Sequence, residues 1–538
     1  MNEEERIKKE KDGLQVINDI PRYAQEGFQI ITKDDIKRLK WYGLYHDDKK
    51  RNPNAGYFMM RIKIPGGILN TQKLRTIAEV SKKFGKNFDG EITTRQDIQL
   101  HYMQIQYIPQ IFEMFKLIGL TTTGACGDGA RNVTTCPVSG FNEDELFDTE
   151  DTMRKITRIF LGNPKYSNLP RKYKICVTSC KGRCIRPEVN CVGFLGVNRQ
   201  SNGSEELGFS LWVGGSLGVP PMLSKPANVF VKMDEVEEVA RAITEIWRDA
   251  PKYRESRTRS RLKWMVKDMG MPKFREAIET KLGRKLEDYN DVNDAPKVLN
   301  DHTGIHKQKQ EEFYFMGVPV PSGRLSPDKL FAIADLVDKY GSGELRLTVQ
   351  QNFIIPNVRK ENIDSASERL SSLSLPVTAS PFKSNFIACT GLPFCNFAVT
   401  ETKFSMKKLT DYLESKFKDR IEELKDVRIH ASGCPHSCAQ HWIADIGLQG
   451  SSTKVDGKME EAFDLMIGGS TGKYSTVAER VRPRIPSRYI NYVIESLLRT
   501  YLDGHSDGET FKEFSMRYGL QQIGIVIDNT LARFSKQG

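Results

Sequence analysis

One displacement runs through this sequence, because features near residue 180 return 254 residues further on. Cys180-x3-Cys184 followed by Gly193 is answered by Cys434-x3-Cys438 followed by Gly447. Trp212-Val213-Gly214-Gly215-Ser216-Leu217-Gly218 is answered by Met466-Ile467-Gly468-Gly469-Ser470-Thr471-Gly472. Earlier, a run from Tyr57 to Ile64 reads as a strand, ends at Pro65-Gly66-Gly67 and leads into helical periodicity from Thr71 to Phe84. The same order recurs from Val318 to Leu325 and from Pro327 to Tyr340. A constant offset across unrelated motifs marks an internal duplication. Each copy reads as a βαβ-type half-module followed by a larger α/β module, and two such copies can pair about a pseudo-twofold axis with a cleft between them.

At 538 residues the chain is too long for one core. Apolar residues at 39% and charged residues at 28% fit a soluble globular protein. No run of eighteen apolar residues suggests a membrane span, and the charged start Met1-Asn2-Glu3-Glu4-Glu5-Arg6 does not read as a signal peptide. Ten cysteines in such a chain point to ligands or reduced thiols, and so to a reducing, cytoplasmic compartment. The net charge of +11 could serve nucleic acid, an anionic substrate, an anionic cofactor or an acidic protein. No RNP-like, zinc-finger or helix-turn-helix pattern accompanies it, which argues against nucleic acid. Much of the excess is solvated surface lysine.

Four cysteines arrive as two pairs in turn-rich loops, Cys389-x5-Cys395 and Gly433-Cys434-Pro435-His436-Ser437-Cys438. Structural zinc prefers pairs separated by two to four residues. A cubane iron–sulfur cluster accepts thiolates from more varied loops. The spacing therefore favours a cluster, with zinc and four unrelated buried cysteines as the alternatives. In the first copy, Cys126, Cys180 and Cys184 fall at corresponding places, but Asn132 lies near the position matching Cys395, so only the second copy is expected to hold a cluster. Cys136, Cys176 and Cys191 read as small buried residues. A second metal site from Cys176, Cys180, Cys184 and Cys191 is the competing reading.

The pattern Cys389-x5-Cys395 with Gly433-Cys434-Pro435-x-Ser437-Cys438 resembles the signature of the sirohaem-dependent sulfite and nitrite reductases. The resemblance implies an α+β, internally duplicated fold. Its parts would be two ferredoxin-like half-modules and two larger α/β modules related by pseudo-twofold symmetry. It also implies a 4Fe–4S cluster on Cys389, Cys395, Cys434 and Cys438, with Cys438 shared with the sirohaem iron. Phe58-Met59-Met60-Arg61 and Arg131-Asn132-Val133 resemble segments whose arginines contact substrate. Pro170-Arg171-Lys172-Tyr173-Lys174 resembles the segment supplying two lysines, Lys172 and Lys174. Thr93-Thr94-Arg95-Gln96-x-x-Gln99-x-His101 is similar to a sirohaem-binding strand, which implies Arg95, Gln99 and His101, with Arg171, as macrocycle contacts.

Those residue types suit the chemistry. Sirohaem carries eight carboxylates, which need cationic or hydrogen-bonding partners when buried. Sulfite and nitrite are small oxyanions, and lysines yield protons more readily than arginines. Lys174 stands where nitrite-type members often have Asn, which favours sulfite, with nitrite as the alternative. The glycine-rich segments Gly124–Gly129 and Gly214–Gly218 lack a nucleotide-binding context. Electrons are then expected from an acidic carrier such as ferredoxin, delivered to a monomeric enzyme. The expected organisation is an extension over 1–46, half-module 47–118, first α/β module 119–285, linker 286–310, half-module 311–378 and cluster-bearing module 379–538.

Overall fold

The computed structural model describes residues 2–47, 55–201, 203–290 and 302–535. It contains four sheets, and the duplication governs all of them. In each half-module a helix lies on a five-stranded sheet. The helix Thr71–Phe84 starts where the Asn70 side chain accepts from the Lys73 backbone N–H at 2.8 Å, and it buries Leu74, Ile77, Ala78 and Phe84. Its counterpart Pro327–Tyr340 opens with Pro at its first position behind a Ser326 cap, and it buries Leu330, Ile333, Ala334 and Val337. In both, apolar residues at three- and four-residue spacing form the face that meets the sheet.

The two half-modules are not separate bodies. Ile68–Asn70 of the first copy joins the sheet of the second, pairing Leu69 with Leu345. Arg324–Leu325 of the second copy joins the sheet of the first, pairing Arg324 with Glu91. One continuous core follows from this exchange. It runs from Leu74, Ile77 and Leu100 through Leu330, Ile333 and Phe353. The N-terminal extension enters the same core with Val16, Ile20, Tyr23 and Leu39.

The larger modules each begin with parallel strands and continue antiparallel. In the first, Thr134–Thr135, Ile175–Thr178 and Val192–Ser201 run parallel before Ser204–Val213 turns back. In the second, Phe386–Ala388, Ile429–Ser432 and Ile446–Val455 do the same before Lys458–Ile467. The cysteine loops leave the carboxyl ends of the first two parallel strands, where open α/β sheets characteristically hold ligands. Within the span expected as a linker, Glu287–Asp288 pairs with Val229 and Phe230, and Gly304–Lys307 pairs with residues 314–317. Residues 291–301 of that span lie outside the described residues. Among the described residues no helix is long and apolar enough to cross a membrane.

Candidate active site

A cavity of about 470 Å³ opens at the seam between the copies. One wall comes from the strands Tyr57–Ile62 and Ile98–Gln104 and the turn 93–97 between the sheets of the first copy. The opposite wall is made of the two cysteine loops of the second copy, and the segment 171–174 closes a third side. The seam is stitched directly, because the Thr94 hydroxyl donates to the Cys438 carbonyl at 2.9 Å. A pseudo-symmetric contact joins Gln350 of the second copy to the Cys184 carbonyl of the first at 3.4 Å.

All four cysteines of the paired motifs line this cavity. The loops are held tight by small residues. A side chain at Gly391 would meet the Thr402 hydroxyl at 2.4 Å, and Gly391 also sits at φ +61. Burial raises Cys389 and Cys395 above the ordinary thiol range and pushes Cys434 up to about 12, with the charge of Cys438 acting in the same direction on all three. Cys438 is the exposed one, whereas the other three are buried or half-buried. Among the described residues no three of these sulfurs lie within 4.8 Å of one another. A tetrahedral zinc ion separates its thiolates by about 3.8 Å, so this set frames something wider than a single cation.

The cations converge on the same space. Arg61, Arg95, Arg131, Arg171, Lys172 and Lys174 all line it. Arg61 is fixed by Gln99, which accepts its Nε–H at 3.1 Å, and by the Cys126 sulfur at 3.2 Å from Nη1. Burial works against the Arg61 charge, but Cys126, Tyr45, Asp97 and Cys438 outweigh it and hold the guanidinium above its usual range. Arg131 donates to the carbonyls of Ala125 and Gly127, both at 2.9 Å. Burial brings Lys172 down to about 7 against the pull of Cys438. It drives Lys174 well below the usual lysine range, with Lys172 and Arg95 pushing the same way. Neither lysine has a hydrogen-bond or ion-pair partner among the described residues.

Two residues expected to meet the macrocycle line the cavity and also brace its wall. His101 faces Asp47 with Nδ1 at 3.3 Å and Glu91 with Nε2 at 3.4 Å, and it stacks on Phe394. Each ring nitrogen faces a carboxylate, so His101 stiffens the wall, while its buried Nε2 makes no hydrogen bond among the described residues. Gln99 accepts from Arg61 and donates to the Thr390 hydroxyl at 2.8 Å, so it positions Arg61 against the cluster loop. Arg171 stays at the rim, 3.9 Å from Asp128.

Sequence reasoning missed several wall residues. Tyr45 and Lys8 come from the extension, to which no chemistry was assigned, yet both line the cavity. Lys8 is anchored there by Asp128 at 3.3 Å and the Leu169 carbonyl at 2.8 Å. Tyr45 is placed by strand pairing with Met59. Neither has a signal in one sequence, because only the folded register brings them in.

The donor set suits a large polyanionic cofactor beside a thiolate-held cluster. Arg95 Nε, Arg131 Nε and Ser437 Oγ are buried without a partner among the described residues, and all three residues line the cavity. Orphaned donors of this kind are otherwise rare in native proteins, and here they accompany more positive than negative side chains.

The first copy differs from the expected correspondence. Gln96 donates to the Thr135 carbonyl and accepts from its N–H, while Gln351 accepts from the Ala388 N–H. Thr135 therefore matches Ala388, and the next residue, Cys136, is the counterpart of Cys389. By the same register Asn142, not Asn132, stands for Cys395, and Cys126 lies instead beside Arg61. Cys176 and Cys191 also fall outside any common group, since Cys176 faces the Val192 carbonyl and Cys191 faces Arg261.

Comparison with known proteins agrees with this geometry. The family model for the nitrite and sulphite reductase 4Fe–4S domain matches residues 126–286 and 380–532. The model for the nitrite/sulfite reductase ferredoxin-like half domain matches 50–118 and 306–373. A ferredoxin-type sulfite reductase of Mycolicibacterium paratuberculosis is 35% identical, over 97% of this chain and 96% of its own. A ferredoxin–nitrite reductase of Leptolyngbya laminosa is 34% identical, over 93% and 96%. The solved structure of the Mycobacterium tuberculosis NirA protein superposes with a TM-score of 0.92 at 33% identity, over 97% of each chain.

Proposed function

The chain belongs to the nitrite and sulphite reductase family, and from that premise we propose that it reduces sulfite to sulfide with electrons from reduced ferredoxin. Arg61, Arg131, Lys172 and Lys174 on the wall of one cavity, opposite the exposed Cys438, carry this reading. Sirohaem coupled to a 4Fe–4S cluster would supply the substrate-holding iron and an electron store. Cys389, Cys395, Cys434 and Cys438 would hold the cluster, and Cys438, whose sulfur reaches the open cavity, would serve the macrocycle iron as well. Arg95 and Arg171 would meet its carboxylates.

The residues of the cavity then divide the work. The guanidinium groups of Arg61 and Arg131 would offset the desolvation of a small oxyanion. Taking sulfite to sulfide consumes six electrons and six protons and releases three oxygens as water. Lys172, poised at about 7 by burial, can both give and regain a proton near neutral pH. Burial, with Lys172 and Arg95 beside it, drives Lys174 well below the usual lysine range, and an anion entering beside it would act in the opposite direction. The bulk and double charge of sulfite suit a wall bearing two lysines. Nitrite is the second reading, because relatives of both kinds are about equally similar. The enzyme is taken to work as a monomer in a reducing cytoplasm, where its ten cysteines, all free, stay reduced.

Steady-state turnover on sulfite and nitrite with reduced ferredoxin tests the substrate. A kcat/KM for nitrite much above that for sulfite overturns the choice. In the same assay, Lys174→Asn should keep the cofactor spectrum and lower sulfite kcat/KM by about a hundredfold.

A further inference from the structure

The pseudo-symmetry that places the cluster cysteines at one end of the seam places a second thiol group at the other. Cys136, Cys180 and His302 lie with their ligand atoms all within 4.8 Å of one another. The Cys136 sulfur is 3.5 Å from His302 Nε2 and 3.6 Å from the Cys184 sulfur. All four residues are buried. They sit among Val138, Ile185, Phe315 and Ile354, in a small apolar cluster distinct from the main cores.

The spacings of Cys136, Cys180 and His302 match one chemistry, and Cys184 beside Cys136 is the adjacent further thiol. A tetrahedral cation held by sulfur at about 2.3 Å and imidazole nitrogen at about 2.0–2.1 Å separates two thiolates by about 3.8 Å and a thiolate from an imidazole by about 3.6 Å. The cluster cysteines of the second copy are spread too widely for that, as noted above. The contraction has an identifiable origin. Asn142 replaces the fourth cysteine, and its side-chain amide donates to the Cys180 sulfur at 3.3 Å, as expected beside a thiolate ligand. His302, arriving from the start of the second copy, supplies the missing donor.

We infer that Cys136, Cys180 and His302 hold a structural zinc ion, with the Cys184 thiol beside Cys136 drawn in as its fourth ligand, at the position where the first copy has lost its iron–sulfur cluster. With Cys184 drawn in, three thiolates and one imidazole would complete a tetrahedral shell and leave no open position, which makes the site structural and not catalytic. It ties the first α/β module to the segment that begins the second half, across 166 residues between Cys136 and His302. The ion would thereby fix the relative placement of the copies whose seam forms the cavity.

The test uses the full-length holoenzyme, produced in zinc-supplemented medium and dialysed. Metal analysis should find about one zinc per chain beside the cofactor iron, and zinc X-ray absorption should show sulfur at about 2.3 Å with nitrogen at about 2.0 Å. Cys180→Ser and His302→Gln should each lower zinc content about tenfold or more while the sirohaem and cluster absorption persists. Zinc below about a tenth of an equivalent, a shell of nitrogen and oxygen only, or full retention in both variants would overturn the assignment. Should the variants fail to fold, the absorption spectrum of the unaltered enzyme decides alone.

Discussion

Replacing Glu91 by Gln tests the buried network that braces the cavity wall. Glu91 is 1% exposed. It accepts from Arg324 at 3.0 Å and from the Thr390 hydroxyl at 2.8 Å, and it faces His101 at 3.4 Å. Burial opposes the charge on His101, but Glu91 and then Asp47 prevail and raise it to about 9. Against an unfolded value of about 6.5, at about 1.4 kcal/mol per unit, the imidazolium contributes on the order of 3 kcal/mol. Because the folded value is the higher one, this contribution is fully present below about pH 6.5 and is lost as the pH rises through about 9. Glu91→Gln removes the larger of the two supporting charges, so about half of it, or 1–2 kcal/mol, should disappear at low pH. Loss of the charge opposite Arg324 adds a part that does not change across this window. Thermal or urea unfolding of the holoenzyme at about pH 6, 7.5 and 9 should therefore show a gap between wild type and variant that is widest at pH 6 and narrows upward. A gap that stays constant or widens would mean His101 is neutral in the folded protein, and the reasoning would fail.

Two further outcomes follow from the geometry. Cys438→Ser should remove the cluster and sirohaem absorption together, as read in the ultraviolet–visible spectrum, because in the proposed site one sulfur would serve both. Loss of the cluster bands alone would refute a shared ligand. Gly13→Ala would drive a methyl group to within 2.1 Å of the Trp41 ring, whose indole N–H donates to the Ser167 carbonyl. Overpacking of this kind costs about 1–3 kcal/mol, which should appear as a lower unfolding midpoint and faster proteolysis of the N-terminal extension.

The duplication, the cysteine pairs and most of the cationic wall could be read from residue order, because each rests on motifs whose spacing survives folding. Other features could not. The exchange of Ile68–Asn70 for Arg324–Leu325 involves strands too short to leave periodicity, and their pairing partners lie in the other copy. The equivalence of Cys136 with Cys389 was hidden because Cys126-x5-Asn132 and Cys136-x5-Asn142 have the same spacing, and strand pairing chooses between them. His101 carried the right motif, but the carboxylates that face it come from positions 47 and 91, which no pattern in the sequence pairs with it. His302 had no pattern at all, since its partners stand more than a hundred residues upstream.

The exchanged strands bear on how the molecule is made. A ribosome delivers residues 16–120 long before residues 316–377, yet both stretches line a single hydrophobic interior. The early half must wait, with its apolar helix face and sheet edge exposed, until the late half emerges to complete it. Synthesis thus sets a long-range, high-contact-order closure as the committing event, and an assembly cut between the copies would leave each fragment holding half of a shared interior.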